Sequence, residues 1–467
     1  MLFSSVFFLF AFLPVSLIVY YLCPRAAKNA VLVLLSLVFY AWGGPKDLVL
    51  LCLTALMSWA AGLELSLLLA RGKRGLARFT LWTAALLQLL PLLFYKYTDF
   101  LLGGVFSLFG VPFSAPELRA PVGISFFTFQ ALSCLWDIYR GKAEATRNLI
   151  DHALYISFFP KLLSGPIVPY QQMQPQLRAH PVSLSDAAEA TPMILAGLAK
   201  KVLISDQLAV CFSSIQALDA ASLSAGTAWL GALCYTFQLY FDFSGYSDMA
   251  IGLARLFGFR FEANFNYPYT AVGLRDFWNR WHISLSHWFR DYVYIPLGGS
   301  KAGTAKQIRN LLLVWLLTGV WHGASMSFVV WGLYHGVLLL LTRYPLRGLL
   351  EKIPAAVRRV GTFFLVVIGW VFFFSPTLSQ AFGYLARMFR GALLDGTAKY
   401  YFSANWLLLL LAVFGCTPLP RTVWSNLVNR GSALRRVLAA LVCLGVFVLC
   451  VSCMIASTYQ SFLYFQF

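Results

Sequence analysis

Residues 48–70 have the sequence LVLLCLTALMSWAAGLELSLLLA, a nearly uninterrupted run of apolar side chains. Glu64 is its only charged residue. A helix needs ~20 apolar residues to cross the ~30 Å hydrocarbon core of a bilayer, and it satisfies its own backbone polar groups there. The stretch therefore predicts a transmembrane helix.

Other apolar runs recur along the whole chain. They are Phe3–Leu22, Val31–Trp42, Phe79–Tyr95, Phe363–Phe374, Trp406–Val413 and Val437–Ile455. Only 12% of the residues are charged, against ~25% in an ordinary soluble domain. We predict an all-α polytopic membrane protein with about eleven transmembrane helices, some of them broken, in one continuous domain over residues 1–467.

Basic residues are concentrated in alternate loops. The loops after the first, third and fifth predicted spans contain Arg25, Lys28, Arg71, Lys73, Arg74, Arg78, Arg140, Lys142 and Arg147. The opposite loops have only Lys46, Lys96 and Arg119. Because cytoplasmic loops carry such an excess of Lys and Arg, we predict an extracytoplasmic N-terminus. The net charge of +18 then reflects topology rather than nucleic-acid binding.

The nine cysteines are scattered, mostly inside apolar runs, without the paired spacing of a zinc site. Cys450 and Cys453 form one close pair, and their place in the last predicted span favours packing over redox chemistry. No metal site is predicted.

The apolar pattern is interrupted within Phe158–Tyr170 by Pro160, Gly165 and Pro166. Proline removes a helical hydrogen bond and clashes with the preceding turn. Irregular backbone at membrane depth is tolerated only where protein or a water-filled cavity covers it. A re-entrant segment that lines a cavity is one interpretation, and a plain surface loop between spans is the alternative for Pro166–Tyr170.

The stretch from Leu274 to Tyr292 has apolar side chains on one side at helical spacing. Its polar stripe contains Arg275, Asn279, His282, Ser286 and Arg290. The pattern predicts one amphipathic helix at the membrane interface or against a cavity. Nearby basic residues place it on the cytoplasmic side, so the next apolar run, Leu311–Met326, is predicted to cross outward.

His322 lies about eleven residues into the predicted span Leu311–Met326, which at ~1.5 Å per residue is ~16 Å deep and close to the bilayer midplane. An ionisable side chain at that depth is a functional candidate. Thr318 and Ser325 are expected on the same helix face. As a general base, a neutral imidazole with an unperturbed pKa of ~6.5 would take a proton from a hydroxyl that attacks a thioester.

Small residues surround this position. Gly319 and Gly323, followed by Gly332 and Gly336, have the spacing that lets two membrane helices approach closely. An interhelical hydrogen bond is therefore the structural alternative for His322. The other histidines are given no catalytic role here: His287 and His335 are assigned to structure, and His152 and His180 to loops or the interface. The candidate oxyanion-stabilising groups are His282, Ser286, Asn279 and the backbone near Gly165.

Several separated motifs support a family resemblance. They are PVGISFFTFQ (121–130), WDIYRG (136–141), FPKLLSGPI (159–167), GLAKKVLI (197–204), YFDFSGYSDMA (240–250), DFWNRWHISLS (276–286), WFRDY (288–292) and YIPLGG (294–299). Over nearly its whole length the chain resembles the membrane-bound O-acyltransferase family. Within that family it is similar to the bacterial alginate O-acetyltransferase branch.

The resemblance implies a ring of helices, with re-entrant and interfacial helices, around an acyl tunnel. His322 matches the invariant histidine of the family, and His282 matches a second motif histidine, so the resemblance implies that both are catalytic residues. We expect four polar residues, Asn279, Ser286, Thr318 and Ser325, to line the tunnel. We expect Arg275, Arg280 and Arg290 to hold the phosphates of the donor, and Arg290→Ala to weaken donor binding unless a carboxylate such as Asp291 or Asp276 pairs with Arg290.

The resemblance also implies the substrates and partners. Members of this branch lie in the bacterial cytoplasmic membrane and take acetyl from cytosolic acetyl-CoA as a substrate, without a further cofactor. They work with a separate extracytoplasmic transferase of the SGNH-hydrolase type, and the acceptor is an extracytoplasmic polysaccharide. Alginate-like exopolysaccharide, cellulose and peptidoglycan all remain open as acceptors.

Two other functions are carried as alternatives. A D-alanyl transferase of teichoic acid modification, fed by a carrier-protein thioester, is similar through residues 280–282 and 290–292. The sequences NYPY (266–269) and IPLGG (295–299) favour the acetyltransferase branch. A polytopic transporter would also contain midplane ionisable residues and broken helices, but no repeated halves are evident in the sequence.

Overall fold

The computed structural model describes residues 1–114, 116, 118–219, 223–301, 303–429 and 432–456. In this part of the chain the regular elements are all helices, which confirms the all-α prediction. The described residues cluster into two compact units. The first contains Met1–Ile194, Met249–Glu262 and Arg290–Tyr292, and the second contains Leu195–Asp248, Ala263–Phe289 and Val293–Phe467. The single-domain assignment stays a prediction.

The N-terminal part of the chain forms nine helices in the described residues. They are α1 (Leu13–Leu22), α2 (Lys28–Ala41), α3 (Asp47–Ala70), α4 (Arg74–Leu108), α5 (Ile124–Tyr139), α6 (Leu149–Ser157), α7 (Phe159–Leu162), α8 (Tyr170–Arg178) and α9 (Leu184–Ala199). A π-helix, Phe8–Phe12, leads into α1, and a 3₁₀ turn, Arg25–Ala27, leads into α2.

The remaining described helices begin after a second π-helix, Lys200–Ser205. They are α10 (Asp206–Gln216), α11 (Ala225–Leu256), α12 (Leu274–Trp278), α13 (Ile283–Phe289), α14 (Thr304–His322), α15 (Met326–Arg343), α16 (Arg347–Lys352), α17 (Ala355–Phe374), α18 (Leu378–Met388), α19 (Gly396–Gly415), α20 (Leu419–Asn429) and α21 (Ala433–Ala456). A 3₁₀ turn, Pro268–Thr270, precedes α12, and a π-helix, Arg290–Tyr294, follows α13.

Six helices of the described chain are long and apolar enough to cross a membrane. They are α3, α4, α15, α17, α19 and the Val437–Ala456 part of α21, and the shorter apolar segment Phe8–Leu22 precedes them. The protein is therefore a multi-pass membrane protein. The number of about eleven spans stays a prediction, because α2 and several later segments are shorter, and α14 begins with a polar turn.

Polar side chains buried in the first unit hold its helices together. The Tyr20 hydroxyl donates to the carbonyl of Phe257 at 2.8 Å and lies 2.8 Å from Nδ1 of His180. Ser58 Oγ lies 2.7 Å from Nε2 of His152. His152 is a buried residue of α6, so its predicted loop position is wrong, whereas His180 does lie in a loop. The interface position considered for both residues stays a prediction.

The broken segment Phe158–Tyr170 is buried in the first unit. It consists of the short helix α7 and extended backbone, and Ile167 and Val168 are as inaccessible as core residues. The chain turns tightly at Gly165, where an added Cβ would lie 2.4 Å from the Cα of Lys161. The surface-loop alternative is therefore wrong, because protein covers this irregular backbone.

Two sequence motifs of the second unit meet in a buried ion cluster. Lys201 Nζ lies 2.6 Å from Oδ1 of Asp206 and 2.8 Å from Oδ1 of Asp242. Gly245 of α11 also leaves room for the Gly197 carbonyl of α9, which would lie 2.7 Å from an added Cβ. Removing one partner of a buried ion cluster leaves an uncompensated charge, so these residues stabilise the contact of α11 with the π-helix Lys200–Ser205.

Helices α14 and α15 pack closely in the second unit. An added Cβ on Gly319 would lie 2.4 Å from the Phe328 carbonyl, and one on Gly332 would lie 2.3 Å from the Trp315 carbonyl. Only glycine permits this backbone contact. The predicted close approach at these small residues is confirmed.

Candidate active site

His322 is the last residue of α14. Its side chain is 6% exposed and is surrounded by aromatic rings. The ring centres of Trp331 and Phe373 lie 4.9 and 5.1 Å from that of the imidazole, and the Phe328 ring stacks at 6.5 Å. The helix stops here because Gly323 adopts an extended conformation, with φ −170° and ψ 158°. The imidazole therefore lies at a helix end inside an aromatic pocket.

The end of α14 corrects two predictions. Leu311–Met326 is not one continuous helix, because the chain turns after His322 and α15 begins at Met326. Ser325 has an extended backbone as the residue preceding α15, so it does not share a helix face with His322. Thr318 does precede His322 by one turn, and its hydroxyl donates to the Val314 carbonyl at 2.7 Å.

The predicted amphipathic helix from Leu274 to Tyr292 is broken at His282. The chain forms α12, then a turn, then α13, and His282 has φ +46°. Asn264, from a preceding loop, fixes this turn: its Oδ1 lies 3.3 Å from Nδ1 of His282 and accepts from the backbone N–H and the hydroxyl of Ser284 at 3.1 and 2.9 Å. The prediction of one continuous amphipathic helix from Leu274 to Tyr292 is therefore wrong.

The two candidate histidines contact the same tryptophan. The ring centre of Trp321 lies 4.8 Å from that of His322 and 6.1 Å from that of His282. His282 is 2% exposed, and its ring contacts Phe243 edge-on at 4.6 Å. Burial lowers the pKa of His282 to about 3, which keeps this imidazole neutral at pH 7.

The other polar residues of the predicted stripe occupy different environments. Ser286 is half-buried, and its hydroxyl donates to the Trp278 carbonyl at 3.3 Å. Asn279 is exposed at the turn between α12 and α13. Because the single helix is broken, these side chains do not form one continuous face with His282. Their role as tunnel lining stays a prediction.

The three candidate arginines differ in their partners. Arg280 Nε donates to Oδ1 of Asp276 at 2.7 Å, and Arg275 on α12 is exposed. Arg290 belongs to the first unit and forms a two-point ion pair with Asp291, at 2.7 and 2.9 Å. This hydrogen bonding raises the pKa of Arg290. Asp291, one of the two carboxylates considered as structural partners of Arg290, does pair with it. The other, Asp276, pairs with Arg280 instead.

Sequence reasoning missed the aromatic pocket around His322. Trp331 and Phe373 come from α15 and α17, and nothing in their apolar runs distinguishes them from ordinary core residues. It also missed Asn264, which belongs to none of the motifs. In the described ranges no group of three or more His, Cys, Asp and Glu side chains is arranged to hold a metal ion.

The arrangement is suited to proton transfer away from bulk water. A buried imidazole at a helix end can accept a proton from a hydroxyl and return it to a leaving group. The rings around His322 exclude solvent, and this strengthens electrostatic interactions with a reacting group. In an all-helical membrane protein such a histidine is a candidate for proton transfer within the membrane domain.

Comparison with known proteins identifies the family. The sequence pattern described as MBOAT, membrane-bound O-acyltransferase family, matches residues 142–386. The chain belongs to the membrane-bound O-acyltransferase family and is therefore an O-acyltransferase.

Individual relatives are similar to different extents. A protein of Azotobacter vinelandii named probable alginate O-acetylase AlgI is 42% identical over 83% of this chain and 78% of its own length. The peptidoglycan O-acetyltransferase of Helicobacter pylori is 36% identical over 83% of this chain and 80% of its own length. The teichoic acid D-alanyltransferase of Bacillus subtilis is more distant, being 29% identical over 58% of this chain and 70% of its own length. The resemblance to the alginate O-acetyltransferase branch is thus confirmed.

Proposed function

We propose that this protein moves an acetyl group from a cytosolic thioester across the bacterial cytoplasmic membrane, for O-acetylation of an extracytoplasmic polysaccharide. The observation that carries the proposal is the buried His322 at the end of α14, in a chain whose similar relatives are named as O-acetyltransferases. Acetyl-CoA is the proposed donor. A separate extracytoplasmic transferase of the SGNH type is the proposed partner.

His322 acts in the proposed mechanism as the general base. The imidazole accepts the proton of the attacking hydroxyl while the hydroxyl oxygen forms a bond to the thioester carbonyl carbon. The carbon–sulfur bond then breaks, and the departing thiolate takes the proton back from the imidazolium. Oxygen is acylated, the thiol is released, and the histidine ends neutral, so no further reactant is needed.

The proposed donor site includes the exposed surface of α12, which carries Arg275. Arg275 is exposed there, so its guanidinium can bind phosphate as a bidentate donor. Arg280 is paired with Asp276 and would contribute by exchanging this partner for phosphate. Arg290 is paired with Asp291 in the first unit, and its contact with the donor stays a prediction. A charged donor stays in water on this side, while only its acyl end enters the aromatic pocket.

Inverted membrane vesicles test this function, because they expose the cytoplasmic face and enclose the extracytoplasmic one. Vesicles from cells that produce the protein receive acetyl-CoA labelled in its acetyl group. We expect labelled, base-labile esters on enclosed polysaccharide and one free thiol for each ester. Vesicles from cells without the protein provide the background.

Three results would contradict the proposal in distinct ways. Consumption of a D-alanyl carrier thioester, with acetyl-CoA left intact, would assign the chain to D-alanyl transfer. Uptake of an unmodified solute without thioester cleavage would assign it to transport. Thioester cleavage that leaves no ester inside the vesicles would exclude transfer across the membrane.

A further inference from the structure

Two cysteines of the second unit have their thiols in contact. Cys211 lies in α10 and Cys234 in α11, and the S–H of Cys234 donates to Sγ of Cys211 at 3.6 Å. Both are free cysteines, and their side chains are 4% and 0% exposed. The two residues are 23 positions apart in the chain, so only the packing of α10 against α11 brings this pair together.

The contact between the two helices holds the thiols in place. The rings of Phe212 and Tyr235, the next residue along each helix, pack with their centres 4.9 Å apart. The two Sγ atoms have to approach by only ~1.6 Å to reach the ~2.05 Å length of a disulfide. Rotation about the two Cα–Cβ bonds can supply this movement, because each Sγ swings on its own Cβ. The pair is therefore placed for bond formation between helices that stay packed.

A cavity of about 400 Å³ between α10 and α19 reaches Cys211, which forms part of its wall. The side chains that line it in the described chain are uncharged, and Gln207, Ser214 and Asn405 are polar ones among them. Such a lining offers hydrogen bonds to a small neutral molecule, whereas a charged molecule would lose its hydration without compensation. The cavity therefore gives small uncharged reagents access to the sulfur of Cys211.

The hydrogen bond between the thiols distinguishes their roles. A thiolate, rather than a thiol, is the nucleophile in cysteine chemistry. Because Cys234 donates to Sγ of Cys211, it stabilises the negatively charged form of Cys211. Cys234 is fully buried and contacts Cys211 from within the unit. Cys211 is thus suited to attack a reagent in the cavity, and Cys234 is placed to react with the product.

We propose that Cys211 and Cys234 form an oxidation site, at which a neutral hydroperoxide converts the two thiols into a disulfide that joins α10 to α11. Cys211 is the attacking thiol and Cys234 the resolving thiol. The site is separate from the acyl-transfer chemistry of His322, and its assignment does not depend on the identity of the acyl donor.

The reaction proceeds in two steps. Sγ of Cys211 attacks one oxygen of the hydroperoxide, so an S–O bond forms and the O–O bond breaks, and the departing oxygen leaves with the thiol proton as water or an alcohol. Sγ of Cys234 then attacks the resulting sulfenic acid. The S–S bond forms, the S–O bond breaks, and the hydroxyl leaves with the second thiol proton as water. The two thiols lose two electrons, and the hydroperoxide gains them.

Oxidation of the wild-type protein in detergent tests the proposal, with hydrogen peroxide as the probe. The reduced protein is treated with peroxide, its remaining thiols are alkylated, and its peptides are analysed by mass spectrometry. We expect the loss of two of the nine alkylatable thiols and a peptide pair linked through Cys211 and Cys234 that lacks two hydrogens. Cys52, which is exposed on α3, is the internal comparison and should remain a thiol at that peroxide concentration. Absence of the linked peptides, or earlier oxidation of Cys52, would overturn the proposal.

Two serine variants test the order of the steps. In Cys234→Ser the resolving thiol is missing, so dimedone, which traps sulfenic acids, should label Cys211 after peroxide treatment, whereas the wild type should give no adduct there. In Cys211→Ser the remaining thiol should stay unlabelled, because Cys234 is 0% exposed. A dimedone adduct on Cys234 in this variant would contradict the assignment of Cys211 as the attacking thiol.

A cavity-filling variant tests the route to Cys211. Ala404 of α19 lines the cavity, so Ala404→Phe should slow formation of the disulfide. Ser403→Phe places the same ring on the neighbouring residue, which is exposed and lies outside the cavity lining, and should leave the rate unchanged. Equal rates of disulfide formation in Ala404→Phe and the wild type would exclude the cavity as the path of the oxidant and overturn the proposal.

Discussion

His322 and His282 differ in how they are held, although both contact Trp321. Asn264 orients His282 through a side-chain contact at 3.3 Å, within a turn that the backbone fixes. His322 lies at the end of α14 among aromatic rings that pack against it. The base role of His322 and the catalytic role of His282 both stay predictions.

Replacing His322 by alanine should abolish acetyl transfer and leave the protein folded. A positioned general base contributes on the order of 10²–10⁴ in rate, whereas a polar link between membrane helices contributes ~1 kcal/mol of stability and little rate. Transfer rate and thermal unfolding should be measured on the same preparation. A folded His322→Ala protein with a near wild-type rate would exclude the base mechanism.

His180 provides the matched comparison for that experiment. Its ring lies 2.8 Å from the Tyr20 hydroxyl and 2.7 Å from Oδ1 of Asn29, so it is a histidine held by structure. His180→Ala should lower the unfolding temperature and preserve the rate per folded molecule. The two substitutions are thus expected to separate rate from stability.

The sequence predicted the identity of these residues better than their surroundings. His322 and His282 could be named from motifs and from the rarity of ionisable groups in apolar runs. Ser325 could not be placed, because the end of α14 depends on the extended conformation of Gly323 rather than on hydrophobic pattern. Trp331 and Phe373 could not be singled out, since aromatic residues at helical spacing are also typical of a core.

At the scale of the elements, long apolar runs predicted helices well. The run Leu48–Ala70 corresponds to α3, and Val437–Ile455 lies within α21. The prediction of one amphipathic helix over Leu274–Tyr292 failed because the break depends on Asn264, a residue outside that stretch. A left-handed residue such as His282 costs free energy locally, and the tertiary contact compensates for it.

The contact between α14 and α15 should be sensitive to a single methyl group. In Gly332→Ala the new Cβ would lie 2.3 Å from the Trp315 carbonyl, and backbone cannot move aside as a flexible side chain can. Overpacking of this kind costs typically 1–3 kcal/mol. We expect a lower unfolding temperature in detergent and a lower transfer rate, because the helix that carries Trp331 shifts away from His322.

Gly361 in α17 is the matched control, since an added Cβ there meets nothing within 4 Å. Gly361→Ala should keep or raise the unfolding temperature, because alanine favours helix by ~1 kcal/mol over glycine. Equal stability of Gly332→Ala and the wild type would show that α14 and α15 do not need this close contact.

At the scale of the whole molecule, orientation in the membrane is the prediction with the widest consequences. The structure suggests two sites for cysteine that the fold accepts: Gly75 at the start of α4, where an added Cβ meets nothing, and Gly43 after α2, where it makes ordinary contacts. In intact cells an impermeant thiol reagent should label Gly43→Cys and not Gly75→Cys, because the basic loop near Gly75 is expected in the cytoplasm.

The unsubstituted protein sets the labelling background, since it has nine native cysteines. Gly75→Cys should react with the reagent once the cells are permeabilised, and this result would show that its thiol is accessible from the cytoplasm. Labelling of Gly75→Cys in intact cells, with Gly43→Cys protected, would reverse the topology and place the proposed donor site on the wrong side.

The hydrogen bond from Tyr20 to the Phe257 carbonyl joins residues that are 237 positions apart. A ribosome adds ~5–20 residues per second, so the first helix is inserted on the order of 10–50 s before its partner is synthesised. During translation the Tyr20 hydroxyl has to find a temporary partner, in water, lipid headgroups or an insertion chaperone. This hydrogen bond can therefore stabilise the N-terminal helices only after Phe257 has been synthesised.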